Sequence, residues 1–343
     1  MKHIALLFCS LVLFLSACAS SEPGTLTVMT HSSFAASEEV INSFEQANNA
    51  TVTFLQGGDA GETLNKAILS RDAPLADVLF GVDNTFLSRA VEAGIFEIYE
   101  SPALAGIPDQ FKLDSSNRAL PVDFGDVCIN YDKKYFADHG LRIPASLEDL
   151  ANPEYNGLLV VENPATSSTG LAFLLATRAH FGEGYLDYWQ SLKDNGVVVV
   201  DGWETAYYTN FSASSGQGPQ PMVVSYASSP AAEVVFAEIP LDDSPTASII
   251  GPDTCFRQIE FVGILKGTAH RALAEKFVDF MLSTEFQEDI PLQMFVYPVN
   301  PDAALPEEFT KYAQAPDQPA SLSPHEIAAN RDTWIEEWVS LMQ

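Results

Sequence analysis

The chain has 343 residues, of which 46 are acidic and 17 are basic, so its formal net charge at pH 7 is −29. A field of this sign repels nucleic acid and anionic lipid, and neither is expected as a partner. Hydrophobic residues make up 47% of the chain, as in a globular protein, and the length exceeds one average domain, so two domains are expected.

The N-terminus has the pattern of a bacterial lipoprotein signal. A basic start and an apolar run over residues 2–15 are followed by small residues and Cys18. The run is shorter than the roughly 20 residues that span a bilayer. We predict a signal peptide over 1–17, lipid on Cys18 and a tether over 18–24, which together hold an extracytoplasmic domain at the membrane. An ordinary signal peptide with a cysteine near its cleavage site is the alternative.

Short apolar runs and amphipathic runs alternate through the first part of the chain. This alternation predicts a mostly parallel sheet covered by helices. Ligands of such sheets bind beyond the carboxyl ends of the strands, where His31, Asp59 and Asp83 fall in polar loops. The predicted strands are 26–29, 52–55 and 77–81, and the predicted helices are 38–47, 61–70 and 85–93.

A second α/β unit is predicted after a long extended run over 121–131, and a run over 258–265 crosses back. The chain therefore folds as two lobes around a cleft that closes by a hinge. We assign 25–122 and 262–343 to lobe 1, and 123–261 to lobe 2. Within lobe 2 we predict strands 158–161, 197–200 and 222–225, a polar loop 163–170 and a helix 171–181. Later in the chain we predict helices 269–283, 285–290 and 324–342. The last of these has Ser323 as N-cap and Pro324 at its first position.

Signatures of enzymes are missing from the sequence. There is no nucleophile-elbow motif, no P-loop and no dinucleotide-binding glycine motif. His325 and Glu326 start like a zinc-protease helix, but Ala329 stands where the second histidine is required. No cysteines and histidines have zinc-ligand spacing. The sequence therefore predicts a protein that is not an enzyme, with no cofactor and no metal.

Aromatic rings recur next to small hydroxyl residues at predicted strand ends. Trp203 and Tyr207 follow one strand, Tyr226 ends another, and Phe295 lies in a predicted loop bounded by prolines over 291–298. Such rings can hold a flat cationic ligand by stacking and cation–π attraction of roughly 0.5–2 kcal/mol each. Core packing is the alternative for any single ring.

Several short segments occur in an order and spacing that a known family shares. They are TVMTHSSFAA (27–36), GVDN (81–84), DFGD (123–126), YDK (131–133), TS (166–167), GL (170–171), GWETAY (202–207), SYASSP (225–230), YPV (297–299) and the tail 328–338. Through them the chain resembles the thiamine-binding solute-binding proteins of bacterial ABC importers, which are related to ferric-ion-binding proteins. The resemblance covers nearly all of the chain after the signal.

The resemblance implies a fold and a function. The fold is the periplasmic-binding-protein fold, with two α/β lobes, a ligand cleft between them and a hinge of crossover strands. The implied function is capture of thiamine or its phosphates by a monomer, which delivers the ligand to an ABC import permease.

The resemblance also implies roles for individual residues. Trp203 and Tyr226 match ring positions of the family, Tyr207 matches its pattern, Ser167 matches a pocket hydroxyl, and Asp59 matches an acidic loop residue near the charged end of the ligand. Three aromatic positions differ, because this chain has His31 in place of Tyr, Glu38 in place of Trp and Phe295 in place of Trp.

Other ligands remain open from the residues alone. Adjacent tyrosines such as Tyr207 and Tyr208 can bind ferric iron as phenolates, since hard oxygen ligands suit trivalent iron. A polyamine, another small cation or a sugar phosphate is also compatible with acidic and aromatic side chains.

Two cysteines remain after Cys9 leaves with the signal and Cys18 takes lipid. Outside the cytoplasm, such a leftover pair favours a disulfide. Cys128 lies in the run that leaves the first lobe, and Cys255 lies just before the run that returns. Hinge strands are adjacent in this fold, so we predict a Cys128–Cys255 bridge.

Overall fold

The computed structural model describes residues 23–213 and 217–343. The predicted signal peptide, Cys18 and most of the tether lie outside the described residues and stay predictions. No helix within the described ranges is long and apolar enough to cross a membrane. The strands are β1 (Gly24–Thr30), β2 (Ala50–Gln56), β3 (Val78–Asp83), β4 (Leu120–Asp132), β5 (Leu159–Glu162), β6 (Val198–Val200), β7 (Met222–Tyr226), β8 (Thr246–Ile249), β9 (Phe256–Ile264) and β10 (Tyr297–Pro298).

Helices connect most of these strands. In the described chain the α-helices are α1 (Glu38–Asn48), α2 (Ala60–Leu69), α3 (Leu87–Glu92), α4 (Lys133–His139), α5 (Leu147–Leu150), α6 (Ser168–Phe181), α7 (Tyr185–Asp194), α8 (Trp203–Thr205), α9 (Ser229–Val235), α10 (Arg271–Met281), α11 (Thr284–Gln293), α12 (Glu307–Tyr312) and α13 (Pro324–Met342); a π-helical turn (Ala206–Asn210) follows α8.

Two parallel sections of one sheet are joined by a pair of long antiparallel strands. The strand order is β2-β1-β3-β9-β4-β7-β5-β6, while β8 and β10 also pair with β4. β1 is parallel to β2 and β3, and β5 is parallel to β6 and β7, whereas β9 and β4 run antiparallel to each other and to their outer neighbours. The two extended runs expected to cross between lobes are these central strands. The residue boundaries of the lobes stay a prediction.

Strand β3 is buried on both faces. Its sequence, VLFGVD, is apolar up to the last residue, and every residue of it is buried, as expected for a strand inside a covered parallel sheet. Burial therefore extends to Asp83 at its carboxyl end, which is 0% exposed. An acidic side chain in such a place needs hydrogen-bond partners.

Helix α6 begins earlier than the sequence predicts. Ser167 occupies the N-cap position and the helix starts at Ser168, so the predicted polar loop is shorter than expected. The pattern of Ser, Thr and Gly disfavours a helix, but tertiary packing requires a small residue here. A Cβ atom on Gly170 would lie 2.5 Å from the carbonyl oxygen of Glu162, so glycine allows the helix to sit on the end of β5.

Two further local predictions are wrong. Pro291 lies inside helix α11 (Thr284–Gln293), so the loop that holds Phe295 starts later than the proline suggested. Trp203, which its position after a predicted strand places in a loop, lies in the short helix α8. The predicted start of α13 is confirmed, since the Ser323 side chain accepts the N–H of Glu326 at 3.1 Å and Pro324 is the first helical residue.

A disulfide joins the two central strands. Cys128 in β4 and Cys255 just before β9 are bonded, with 4.3 Å between their Cα atoms. Both residues are 0% exposed. Next to the bridge, Val127 of β4 pairs with Phe256 of β9. The bond therefore fixes one end of the ladder that connects the two parallel sections.

The C-terminal helix α13 contacts residues of both predicted lobes. The ring of Trp338 packs edge-on against Trp189 of α7, with 5.3 Å between centroids. Nearer its start, Arg331 donates to the carbonyl of Thr85 at 3.4 Å and to Ser88 Oγ at 3.3 Å. The helix was assigned to lobe 1 from the sequence, and these contacts show that it also packs on the other section.

Candidate functional site

A cavity of about 290 Å³ lies beyond the ends of β1 and β7. This volume is near the lower end of the roughly 300–1,000 Å³ typical of small-molecule sites. Its wall is built from segments that are far apart in the sequence, from β1 to the loop after α11. Six of the predicted residues line it: His31, Asp59, Trp203, Tyr207, Tyr226 and Phe295.

Trp203 forms an aromatic wall with its neighbours. Its ring stacks on Tyr207 with 5.1 Å between centroids and an interplanar angle of 22°, and Tyr226 meets it edge-on at 6.5 Å. The indole Nε1–H donates to Ser225 Oγ at 2.9 Å. A short helix followed at once by a π-helical turn brings residues 203 and 207 to the same side. The ring of Trp203 is therefore fixed in plane and position before any ligand binds.

Tyr207 is held from behind the wall. Its hydroxyl donates to the carboxylate of Glu233 on α9. Burial, followed by the charge and hydrogen bond of Glu233, raises the pKa of Tyr207 well above its ordinary value. Burial also raises the pKa of Glu233 to about 7, although the hydrogen bond from Tyr207 works against this. The phenol is therefore a hydrogen-bond donor, which keeps its proton at neutral pH.

Tyr226 stands next to the central strands. Its hydroxyl donates to Gln258 Oε1 of β9 at 2.9 Å. On the neighbouring strand β4, a Cβ atom on Gly125 would lie 2.7 Å from Cδ1 of Tyr226. Glycine is therefore required for the ring to approach the strand this closely, and this explains the glycine of the DFGD segment.

Asp59 connects three backbone segments. It is the N-cap of α2 and its Oδ1 accepts the N–H of Ala60 at 2.7 Å. Its carboxylate also accepts the N–H of Trp203 at 3.3 Å and that of Ser168 at 3.4 Å. Burial raises the pKa of Asp59 despite these donors, of which Trp203 acts most strongly. A residue of the first sheet section thus binds the starts of two helices of the second.

His31 lies between β3 and an acidic residue of β9. Its Nε2 is 3.3 Å from Oε1 of Glu260, close enough for an ion pair but without hydrogen-bond alignment. Gly81 has a φ of +95°, and a Cβ atom there would lie 2.2 Å from His31 Cδ2. Burial lowers the pKa of His31, but the charge of Glu260, with smaller contributions from Asp59 and Asp83, leaves it above its ordinary value.

Glu260 is the middle member of a row of three acidic residues across the central strands. It pairs in register with Asp83 of β3 on one side and with Asp123 of β4 on the other. Burial, then the charge of Glu260, raises the pKa of Asp123 well above its ordinary value. Burial alone would raise the pKa of Glu260, but His31, and after it Asp123, bring this pKa below its ordinary value. Within this pair the proton is therefore favoured on Asp123 and the negative charge on Glu260.

Phe295 completes the wall on the side of α11. It is 8% exposed and has a φ of +54°, which is unusual for a large residue. Its carbonyl accepts the hydroxyl of Ser228, and its ring meets Phe236 at 5.1 Å. The strained backbone is thus held by a buried hydrogen bond and turns the ring toward the cavity.

Two predicted site residues do not reach the wall. Asp83 is fully buried, accepts the N–H of Thr85 at 2.9 Å and is contacted by Gln258, so its carboxylate is used in holding the end of β3. Burial raises its pKa to about 6. Ser167 is also fully buried, with its hydroxyl 2.9 Å from that of Thr169. Both lie behind the surface that a ligand could touch.

Several residues of the wall were not predicted from the sequence. Those with large or charged side chains include Phe34, Glu204, Phe236 and Glu260. The signal for Glu260 was a lone carboxylate in the apolar run IEFVGIL, where a buried charge needs a partner or a function. Glu38, unlike the other two departures His31 and Phe295, is exposed at the start of α1 and is not part of the wall.

Comparison with known proteins places the chain in a family. Residues 73–319 match the model of a family described as bacterial extracellular solute-binding protein. The chain belongs to this family. The role of this family is solute binding outside the cytoplasm and not catalysis. Separately, the described residues hold no group of three or more His, Cys, Asp or Glu side chains that could bind a metal.

Relatives of this solute-binding protein include proteins named thiamine-binding periplasmic protein. The one from Salmonella typhimurium is 31% identical, with 96% of each chain covered. The one from Escherichia coli is 30% identical, over 91% of this chain and 92% of the relative.

Solved structures confirm the periplasmic-binding-protein fold. A structure titled periplasmic thiamin binding protein superposes with a TM-score of 0.82 at 28% identity, covering 94% of this chain and 97% of the other. A ferric binding protein from Campylobacter jejuni has a TM-score of 0.71 at 19% identity, with 92% and 99% covered, and this similarity shows the fold alone.

Proposed function

We propose that this solute-binding protein captures thiamine, or a thiamine phosphate, in the cavity beside Trp203 and delivers it to an ABC import permease. The main support for this proposal is that one cavity of about 290 Å³ combines the stacked rings of Trp203 and Tyr207 with the carboxylates of Asp59 and Glu260. The names of the relatives and of the neighbouring structure support the same ligand.

The chemistry of thiamine fits this combination. It consists of two flat heteroaromatic rings, one of which carries a permanent positive charge. Trp203 and Tyr226 can stack on such rings, and a cation above an aromatic face gains roughly 0.5–2 kcal/mol. Asp59 and Glu260 supply negative charge at the same wall. His31, Tyr207 and Phe295 shape the remaining sides.

The ligand can be identified without prior assumption. Protein purified under native conditions is denatured, and the released small molecules are analysed by mass spectrometry. Calorimetry of the stripped protein with thiamine and with its mono- and diphosphate then gives stoichiometry and affinity. One-to-one binding of at least one of them is expected. No heat with any of the three, together with a clear signal for ferric iron, would contradict the proposal.

The geometry of the tyrosines does not favour ferric iron. The Tyr207 phenol donates to Glu233, and the adjacent rings of Tyr207 and Tyr208 stand at 83° to each other. The ring of Tyr208 stands at 78° to that of Trp203, with 5.5 Å between centroids. The two phenols thus have different environments, and the bond from Tyr207 to Glu233 favours a hydrogen-bonding role for this phenol over a paired phenolate site.

We also propose how the protein is placed and divided. The mature chain is a monomer that begins at lipid-bearing Cys18, and the residues up to 24 tether it to the membrane. Its lobes are 25–122 with 262–343, and 123–261. Mass spectrometry of the N-terminal peptide tests the lipid, and a cysteine-to-alanine change at 18 is expected to release the protein from the membrane fraction.

A further inference from the structure

The charged side chains of the cavity wall are mostly acidic. Among the described residues that line it, Asp59, Glu204 and Glu260 are acidic, and no lysine or arginine is present. The nearest positive group to Glu260 is His31, whose side chain is 13% exposed and whose Nε2 lies 3.3 Å from the carboxylate. Glu260 thus has one counter-charge, and that counter-charge can be removed by losing a proton.

Apart from His31, the neighbour that lowers the pKa of Glu260 is Asp123, which brings no positive charge. Its in-register neighbours Asp83 and Asp123 are both fully buried carboxyl groups. Within the described chain, no donor is aligned for a hydrogen bond to either carboxyl oxygen of Asp123. A buried carboxylate between two other carboxyls is unfavourable unless a cation stands next to it.

We propose that Glu260 is the residue that selects a cationic ligand. In the free protein the protonated side chain of His31 stands in for the ligand's positive charge, so that ligand binding expels this proton. The inference rests on the proposed function, because the cationic ring of thiamine is the group expected beside Glu260. The two cations compete for one carboxylate, as linkage requires of ligands that exclude each other.

The direction of the pH dependence follows from the groups that face His31. These groups are Glu260 of β9, Asp83 of β3, Asp59 at the start of α2 and, beyond Glu260, Asp123 of β4. Tyr226 of β7 keeps its proton, since burial raises its pKa. A ligand cation beside Glu260 lowers the pKa of His31 in the complex. Between the pKa values of the free and bound states, up to about one proton is released, and the Kd rises about tenfold for each unit by which the pH falls.

Calorimetry of the stripped protein with thiamine tests this competition. Titrations at pH 6, 7 and 8 in buffers of different ionisation enthalpy give the Kd and the number of protons released. Binding is expected to tighten as the pH rises, with protons released in the same interval. His31→Gln is expected to abolish the proton release, and Glu260→Gln to weaken binding at pH 8 at least about tenfold, as for loss of a buried charge partner.

A matched control removes a different histidine that is paired with acids. His180 lies 2.8 Å from Glu148 and 3.2 Å from Asp253, away from the cavity wall. On binding thiamine, the His180→Gln variant is expected to release as many protons as the unaltered protein. Melting temperatures of all variants report folding, and the double variant His31→Gln, Glu260→Gln avoids leaving either member of the pair alone.

A measurement without ligand separates this inference from the proposed function. NMR titration of His31 in the free protein is expected to show a pKa that falls when Glu260 becomes Gln. An unchanged pKa overturns the inference, as do a constant Kd from pH 6 to 8, proton release that survives in His31→Gln, or unchanged affinity in Glu260→Gln. Failure of thiamine to bind contradicts the proposed function instead, and the NMR result then decides the inference by itself.

Discussion

Trp203 is held in the cavity wall by three separate contacts. Its backbone N–H donates to Asp59, its indole donates to Ser225 and its ring stacks on Tyr207. The same residue is therefore tied to α2, to β7 and to the π-helical turn. A ring that is fixed in this way loses little conformational entropy when a ligand stacks on it.

Replacement of Trp203 by alanine tests this role. Trp203→Ala is expected to weaken ligand binding by roughly 1–3 kcal/mol, because a buried aromatic contact is lost. Calorimetry measures the change. Tyr135→Ala, which removes a ring stacked on His139 away from the cavity, is the control and should leave the affinity unchanged. If Trp203→Ala melts much earlier but binds normally when folded, the ring serves core packing only.

The residues that sequence reasoning found and missed differ in where they lie along their strands. Asp59, Trp203 and Tyr226 follow or end strands, and such positions can be predicted because strand ends meet at one edge of a sheet. Glu260 lies within the crossover strand β9, and no local pattern shows which strand it will stand beside. Asp83 follows the rule for strand ends but is covered, because the turn after β3 uses its carboxylate.

At the scale of elements, the long amphipathic helices and apolar strands were predictable, and the short irregular ones were not. The π-helical turn (Ala206–Asn210) has no periodic signal of its own, yet it places Tyr207 under Trp203. Helix α6 starts in a segment of poor helix formers because Gly170 fits closely against β5. Tertiary packing decides both cases and cannot be read from local propensity.

The disulfide between the central strands carries the second prediction. The bridge connects residues separated by 127 positions, and removing it is expected to lower the free energy of unfolding by about 5 kcal/mol in the chain-entropy model. Guanidinium titration of the double variant Cys128→Ala, Cys255→Ala measures the loss.

Reduction provides the control for this prediction. A reducing agent should lower the stability of the unaltered protein and leave the double variant unchanged. Affinity for the ligand should persist in both, since neither cysteine lines the cavity. Two free thiols in protein exported to an oxidising compartment would contradict the bridge.

At the scale of the whole molecule, α13 makes the two sheet sections interdependent. It reaches α3 through Arg331 and α7 through Trp338. The sequence predicted the helix and its first residue but assigned it to one lobe, because amphipathicity shows that a face is buried and not which partner buries it.

Trp338→Ala tests this coupling. Trp338 is 2% exposed, and its truncation is expected to cost about 3–5 kcal/mol. Because the helix contacts both sections, thermal unfolding monitored by circular dichroism should remain one transition at a lower temperature. Glu336→Ala, on the exposed face of the same helix, should change little. Local fraying of the C-terminus at unchanged melting temperature would contradict the coupling.

The buried disulfide has a practical consequence for measuring this protein. Both cysteines of the described chain are consumed by it and inaccessible to reagents. In protein prepared without residues 1–22, a cysteine introduced by substitution would therefore be the one thiol open to a maleimide dye. Tyr208 is 50% exposed at the rim of the cavity, next to Trp203. A fluorophore attached after Tyr208→Cys would sit where an arriving solute alters its environment, and the chain could serve as an optical sensor for its own ligand.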